Sequence, residues 1–494
     1  MGKGGELQWS HNARTLLLIF SLVSSILSHA ASWDEYGSYD LSWYSASETT
    51  LDISTPEELA GVAYLVNNNF TSFSGTTINI TADIDLSGRT WIPIGTSNTD
   101  FAGTFEGNGH TISGIIITSY GFWVHLSGVN ISNTTFIGSI NGTNSYMGFV
   151  ACDAENCEFE NIICESTITC SREKLSVSSA YLFYFYTGGL VSTSTNCSFT
   201  NIHTTQGINF SLGDSNGNNC FGAIYLYAGG ISGKSEDDSF EFCHTVNDFN
   251  IGINGYVTSS SYTSVGSSGI YVGGIAGYTT ERTTFNSCLA ENNSFVGNHY
   301  NGTYDSMGFI YGGIVGRFGI YYNNSTSVNV LKNCVAINKE YSVTGHNYSS
   351  VAAWYHTSSY FGGILYNTVP ENYGGCYSNN DIDKTVSKVQ LDLTGENGST
   401  SFSTSQMHTQ SFVDELNLYC QLEYGTERWT LNEEGKLSLK SSDTDTGIKS
   451  VSTSEKDNAI IGFYDMNGLR VSGLKKGINI IKYSNGRAKK VFLK

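Results

Sequence analysis

The stretch "KSEDDSFE" at 234–241 sets Asp237 beside Asp238, and Glu281 with Arg282 follows about one sequence repeat later. Two carboxylates on neighbouring turns of a repeating fold, with a cation beside them, could form the acid–base pair of a glycan lyase or hydrolase. The same residues also make an ordinary solvated turn with a surface ion pair. The second reading is adopted. No catalytic residue is assigned, and Asp237, Asp238 and Glu281 are the candidates under the first.

Aromatic side chains offer a different chemistry. Tyr262, Tyr300, Tyr304, Tyr321, Tyr322, Tyr348, Trp354 and Tyr355, with Tyr181, fall in variable segments rich in Ser, Thr and Asn. Aromatic rings beside hydroxyl and amide groups suit carbohydrate, so these are the ligand-binding candidates. Alternatively the rings cover the fold or pair across hairpins. His203 and His244 share one column of the repeat, one place beyond a buried position, which turns both outward as a stacked surface pair. The chain has no HExxH, P-loop, GxSxG or dinucleotide fingerprint, and no CxxC or His–Cys cluster. No metal and no cofactor are therefore expected.

A repeat must position these groups. "YTGGLVS", "YAGGISG", "YVGGIAG", "IYGGIVG" and "YFGGILY" align at Gly189, Gly230, Gly274, Gly313 and Gly363, with earlier degenerate copies at Gly121 and Gly148. Each is followed by a second block, as in "FENII", "FTNIH", "FEFCH", "FNSCL" and "LKNCV". One such unit cannot bury its own apolar face. Stacked units can, because equivalent residues of successive turns lie ~4.8 Å apart in ladders. Two inward columns follow: Leu190, Ile231, Ile275, Ile314, Ile364, and Ile162, Ile202, Cys243, Cys288, Cys334. Cys replaces Ile in the second, so these of the eleven cysteines read as small buried apolar groups, with some disulfides as the alternative. Strand parity, counted from Leu190, also turns Tyr186, Tyr227, Tyr271 and Tyr360 inward as an aromatic stack. The spare residues of each unit form inserts that leave at the same point and line one side.

Glycine is abundant (55 residues), proline nearly absent (3), and only 14% of residues are charged. This composition suits many short strands and tight turns. The net charge of −19 disfavours nucleic acid and anionic membrane as partners. The fold class expected is all-β, a right-handed parallel β-helix with a short N-terminal capping helix, where Thr55-Pro56-Glu57-Glu58 gives an N-cap, a proline at the first position and early acids. The solenoid domain spans 31–440, divided into an N-cap at 51–77, repeats at 78–380 and a closing segment at 381–440.

The opening block "INITADIDLSGRTWIPIG … FAGTFEGNGHTISGI", the "GGISG", "GGIAG" and "GGIVG" segments, and the closing "TSQMHTQSFVDELN … RWTLNEEGKLSL" resemble the exported β-helix proteins with GLUG repeats. The resemblance covers roughly residues 51–439. Ser192 and Tyr366 depart from it at the last glycine. It implies a fold and says little about function.

Both termini suggest export. Lys3 and Arg14 precede an apolar run, Thr15 to Leu27, and "SHA" follows it, which reads as a signal peptide spanning 1–30. No later stretch reaches membrane length, so no transmembrane segment is expected after cleavage. From Ile460 onward, six Lys and two Arg face one Asp, a net of +7, which leaves −26 for the rest. "YDMNGLRV", "KGINIIK" and "KKVFLK" resemble the C-terminal sorting domain of type IX secretion cargo in the Bacteroidota, a small β-sandwich-like module. The signal residues implied are Tyr464, Asp465, Asn467, Gly468, Gly477 and Lys494, in a domain at 459–494 behind a polar linker at 441–458. Bottom-up, Asn467-Gly468 and Asn485-Gly486 are hairpin turns.

The function expected is that of a non-enzymatic secreted or outer-membrane surface protein, an adhesin or glycan- or host-protein-binding stalk exported by the type IX machinery. The alternative is a β-helix polysaccharide lyase or glycoside hydrolase.

Overall fold

The computed structural model of the protein describes residues 31–35, 37–172, 182–213, 223–254, 268–280, 282–300, 307–318, 329–345, 352–356, 373–374, 376–379, 381, 383–386, 389–392, 399–440, 460–465, 470–471, 477–483 and 488–493. The signal peptide, the linker, Glu281, Tyr181, Tyr262, Tyr304, Tyr321, Tyr322, Tyr348, Tyr360, Ile364, Asn467, Gly468 and Lys494 lie outside the described residues.

The chain is an all-β parallel solenoid. Register runs from coil to coil: Thr50 pairs with Thr77, Thr77 with Thr104, Thr104 with Asn130, Asn130 with Glu158, Glu158 with Ser198, Ser198 with Ser239, Ser239 with Thr284 and Thr284 with Val330, always in parallel. Strand Thr50–Ile53 is thus the first rung, and the repeats begin there rather than at Ile78. They also run on to Ser399–Phe402, which pairs with Cys376–Asn379, so part of the expected closing segment is a further rung.

Between Asn130 and Phe318 each coil visits three sheets, here numbered I to III, which hold 18, 7 and 6 strands among the described residues. Strand Glu158–Arg172 lies in sheet I, Leu182–Gly188 in sheet II and Val191–Thr195 in sheet III. Corners use two devices. The first is left-handed backbone at Asn133, Asn156, Asn161, Asn196 and Asn201, a conformation Asn tolerates better than most residues. Their amides stack across coils. Asn161 Nδ2 donates to Asn133 Oδ1 at 2.8 Å, Asn201 Nδ2 to Asn161 Oδ1 at 2.8 Å, and Asn196 Nδ2 to Asn156 Oδ1 at 2.7 Å.

The second device is the Gly-Gly corner between sheets II and III. Its glycines are required by close approach. A Cβ on Gly230 would run into the Gly274 carbonyl, and one on Gly274 into the Gly313 carbonyl. The carbonyls crowd inward and need donors. Buried amides supply them: Asn247 Nδ2 donates to Gly274 O at 2.9 Å and Asn292 Nδ2 to Gly313 O at 3.1 Å. Gln206, Asn247, Asn292 and Asn338 also bond to one another, at 2.7, 2.9 and 2.7 Å, as a continuous interior amide ladder.

The apolar columns pack as the repeat demands. Leu190, Ile231, Ile275 and Ile314 are fully buried, as are Cys243, Cys288 and Cys334 beside Ile162 and Ile202. No disulfide joins any of the ten described cysteines. Burial pushes the thiols of Cys164 and Cys170 up to about 12. Stacked phenylalanines Phe159, Phe199, Phe240 and Phe285 fill the same interior.

Helix α1 (Pro56–Asn67) follows the first rung. Thr55 and Glu58 form a reciprocal capping box, and Leu59, Val62, Leu65 and Val66 bury their side chains in the solenoid core. Helices α2 (Thr404–Met407) and α3 (Gln410–Tyr424) and the hairpin of Trp429–Leu431 with Leu437–Leu439 follow the last rung. They fold back along the outside of sheet I. The outward column there runs Thr135, Ile163, His203, His244, Leu289, Val335, Tyr377. Its last three members form one apolar cluster with Phe412, Val413, Leu416 and Trp429. Asn333 Nδ2 donates to Leu416 O at 3.3 Å beneath α3. At the C-terminus, strands Ile460–Asp465, Arg470–Val471, Gly477–Tyr483 and Ala488–Leu493 form an antiparallel sheet.

Candidate functional site

Sheet II carries the most unusual surface. Along strand Leu182–Gly188, Phe185 faces the core and Tyr184 and Tyr186 face out; Leu226 and Ile270 repeat the inward position. The tyrosine column is therefore on the outside, and the inward stack expected from parity is corrected. Gly188-Gly189 lie between Tyr186 and Leu190, and the corner there breaks the alternation. Tyr146 and Tyr184 are 43% and 41% exposed, whereas Tyr227, mid-column, is nearly covered by its neighbours.

The rings stack in register. Tyr146, Tyr186, Tyr227 and Tyr271 follow one another at 5.2 Å between centroids, the last two steps within 12° of parallel. Tyr184 and Tyr225 start a second column, also at 5.2 Å. Rings stacked this way turn their faces to each other and leave edges and phenolic hydroxyls to the solvent. Burial, then neighbouring phenols, hold Tyr186 above the usual phenol range. Burial does the same for Tyr227 despite the opposing pull of Arg317. Both hydroxyls stay protonated and able to donate and accept.

Sheet III forms the second wall. Its outward column runs His125, Asp153, Thr193, Lys234, Tyr278, Arg317. Tyr278 lies 4.9 Å from Tyr227, and the Arg317 guanidinium sits 4.7 Å above Tyr271 and 5.7 Å from Tyr278. Side chains of two sheets meet only where the surface is re-entrant, so the Gly-Gly corner is the floor of an aromatic elbow. Sequence reasoning passed over Tyr278 and Arg317. The signal was present: the residue after the third glycine of each block reads Lys234, Tyr278, Arg317.

The other candidates are dispersed. Trp354 occupies the register of the tyrosine column, paired with Ile310, which pairs with Tyr271. Tyr355 pairs with Tyr311, and Tyr300 ends a sheet I strand opposite Asn254. The inserts leave from stacked strand ends, as expected from the repeat: Arg172 pairs with Leu212, and Asn254 with Tyr300. Tyr464, Asp465 and Gly477 lie in the antiparallel sheet, opposite Arg470, Asn479 and Leu493.

Asp237 and Asp238 diverge. Asp237 faces out into a two-pronged pair with Arg282, whose Nε is 2.6 Å from Oδ1. Asp238 is buried, accepting from Ser194 Oγ at 2.6 Å, the Cys197 N–H at 2.8 Å and Ser235 Oγ. Burial outweighs those bonds and raises its carboxyl to about 6. Two coils on, Asn329 accepts the equivalent N–H from Thr283 at 3.0 Å. The role of Asp238 is to close the corner.

A second concavity of about 920 Å³ runs along the open part of sheet I, between the asparagine ladder and the C-terminal hairpin. His203 and His244 line it, their rings 4.6 Å apart, and His244 Nε2 lies 3.0 Å from Glu291 Oε1. Burial, then the charge of His244, lower His203 to about 4, so it is neutral at neutral pH. Burial pulls Glu291 up, but the hydrogen bond and charge of His244 outweigh it and the carboxyl titrates below its usual range. The other carboxylate that lines the concavity, Glu106, accepts from Ser132 Oγ at 2.7 Å and Asn133 Nδ2 at 3.0 Å. Among the described residues no three His, Cys, Asp or Glu side chains converge as metal ligands.

No known family model matches the chain, and no characterised protein matches it in sequence.

Proposed function

We propose that the protein is a non-enzymatic, exported parallel β-helix of right-handed coil that displays its tyrosine elbow and insert face to a glycan at the cell surface. The resemblance to GLUG-repeat β-helix proteins and to type IX sorting domains supplies the route. The N-terminal signal brings the chain to the periplasm, the basic tail is read by the type IX machinery as a β-sandwich-like module, and α1 closes the N-terminal end. A host surface protein is the other kind of partner that such a stalk serves.

The outward tyrosine stack carries this proposal. Rings that could be hidden in the core instead line a re-entrant surface, with hydroxyls repeating along the solenoid axis. A row of alternating apolar edges and hydroxyl groups is complementary to a sugar chain, which also alternates C–H and O–H. The lyase or hydrolase alternative asks for convergent carboxylates, and Asp237 and Asp238 face opposite ways.

Two measurements test it. A glycan array probed with residues 31–440 should show saccharide binding; a blank array removes the ligand half of the proposal. Deleting residues 460–494 should leave the solenoid folded but keep it in the periplasm. Surface labelling of the truncated protein outside the cell would show that the tail is not a sorting signal.

A further inference from the structure

The elbow ends on a cation in an unusual setting. Arg317 is half-buried on two tyrosine rings in a chain of net charge −19. Three other cations of the solenoid pair with acids, Lys234 with Glu236, Arg282 with Asp237 and Arg89 with Glu35, whereas Arg172 lies over Phe185 and donates to Ser145, and Lys339 donates to Asn293. No carboxylate among the described residues forms an ion pair or hydrogen bond with Arg317. Its electrostatic neighbours are Tyr271, Tyr227, Tyr278 and Tyr225. Stacking on rings engages the flat face of a guanidinium and leaves its N–H fork in plane, the geometry that grips a planar carboxylate with two parallel hydrogen bonds.

We infer that Arg317 is the acid-recognition point of the elbow, and that the preferred glycan carries isolated carboxylated sugars, such as uronate units, on a largely neutral chain. This rests on the glycan reading proposed above. The sugar body lies against the tyrosine edges while its carboxylate is held by the Arg317 fork. The body charge of −26, outside the basic tail, argues against a dense polyanion. Repeated anionic groups would be repelled along the solenoid, whereas one carboxylate at a desolvated guanidinium feels mainly its partner, since more distant charges are screened beyond ~8 Å at physiological salt. The sheet III wall sets a direction. Asp153 lies toward the N-terminal coils and Arg317 toward the C-terminal ones, so the acidic unit binds at the Arg317 end.

The test compares a glucuronate-bearing oligosaccharide with the same oligosaccharide after reduction of its carboxyl to a hydroxymethyl group, using residues 31–440. The acidic form should bind about tenfold more tightly, the gain expected for a charged two-pronged hydrogen bond. Arg317→Gln should erase the difference between the acidic and the reduced form, whatever it does to the affinity the two share. Arg317→Lys, which keeps a charge over the rings and guards against a folding failure, should retain only part of the preference. Equal binding of both sugars by the unsubstituted protein would overturn the inference and leave the glycan reading standing. Binding of neither would overturn the inference, and only a blank glycan array would overturn the glycan reading with it. A preference that survives Arg317→Gln in a folded protein would place the acid site elsewhere and overturn the assignment.

Discussion

Two aromatic stacks climb the solenoid at nearly the same rise. Inside, Phe159, Phe199, Phe240 and Phe285 lie 5.0, 4.7 and 4.8 Å apart, within 6° of parallel and out of reach of solvent. Outside, Tyr146, Tyr186, Tyr227 and Tyr271 climb at 5.2 Å with tilts up to 32°. The coil-to-coil register imposes both. Exposure divides their roles. The inner stack gains full burial and has no polar atom to satisfy. The outer one gives up part of that burial and keeps a hydroxyl on every ring, so it contributes less to stability and offers more to a ligand.

Substitutions should separate the two. Ile275→Asp, in the inward column, places an unpaired charge among fully buried ladders and should destabilise by more than about 4 kcal/mol; circular dichroism melting that matches the parent would contradict the inward assignment. Phe240→Ala leaves a cavity between two coplanar rings and should cost about 3–5 kcal/mol in denaturant titration. Tyr186→Leu, one ring of the outer stack, should cost about 1 kcal/mol, and a loss as large as that of Phe240→Ala would make the outer stack core.

Asp238 sharpens the comparison through pH. Its folded carboxyl titrates at about 6, above the ordinary value of 3.8, so the folded state holds the proton more tightly than the unfolded chain. Its contribution is fully present below pH 3.8 and is lost as pH rises through 6. The loss is at most about 3 kcal/mol at 1.36 kcal/mol per unit. Asp238→Asn should abolish this slope between those limits, since Asn329 shows that an amide serves at the equivalent corner. A slope unchanged in the Asn variant would assign it to other groups.

The repeat was legible because its causes are periodic. Apolar columns, the Ile-to-Cys exchange at 202 and 243, the outward His203 and His244, and the Thr55–Glu58 cap all follow from spacing and residue type. The tyrosine column was not, since two glycines at the corner shift the alternation by which a side chain is assigned to a face. Nor were the amides Gln206, Asn247, Asn292 and Asn338. In sequence they resemble surface residues, and only the crowded Gly-Gly carbonyls call them inside. The fold-back of α3 left one hint, the change from His203 and His244 to Leu289 and Val335 in an outward column, which calls for a cover.

The central claim is that the outer stack is a binding surface. The most direct measurement is calorimetric titration of residues 31–440, and of the same chain with Tyr186→Leu and with Tyr271→Leu, using the saccharide that the array selects. The account predicts saturable binding by the parent and at least a tenfold loss, about 1.4 kcal/mol, in each variant while both remain folded. Unchanged affinity in both would contradict it, leaving the tyrosine column as cladding of the solenoid and moving the ligand to the inserts.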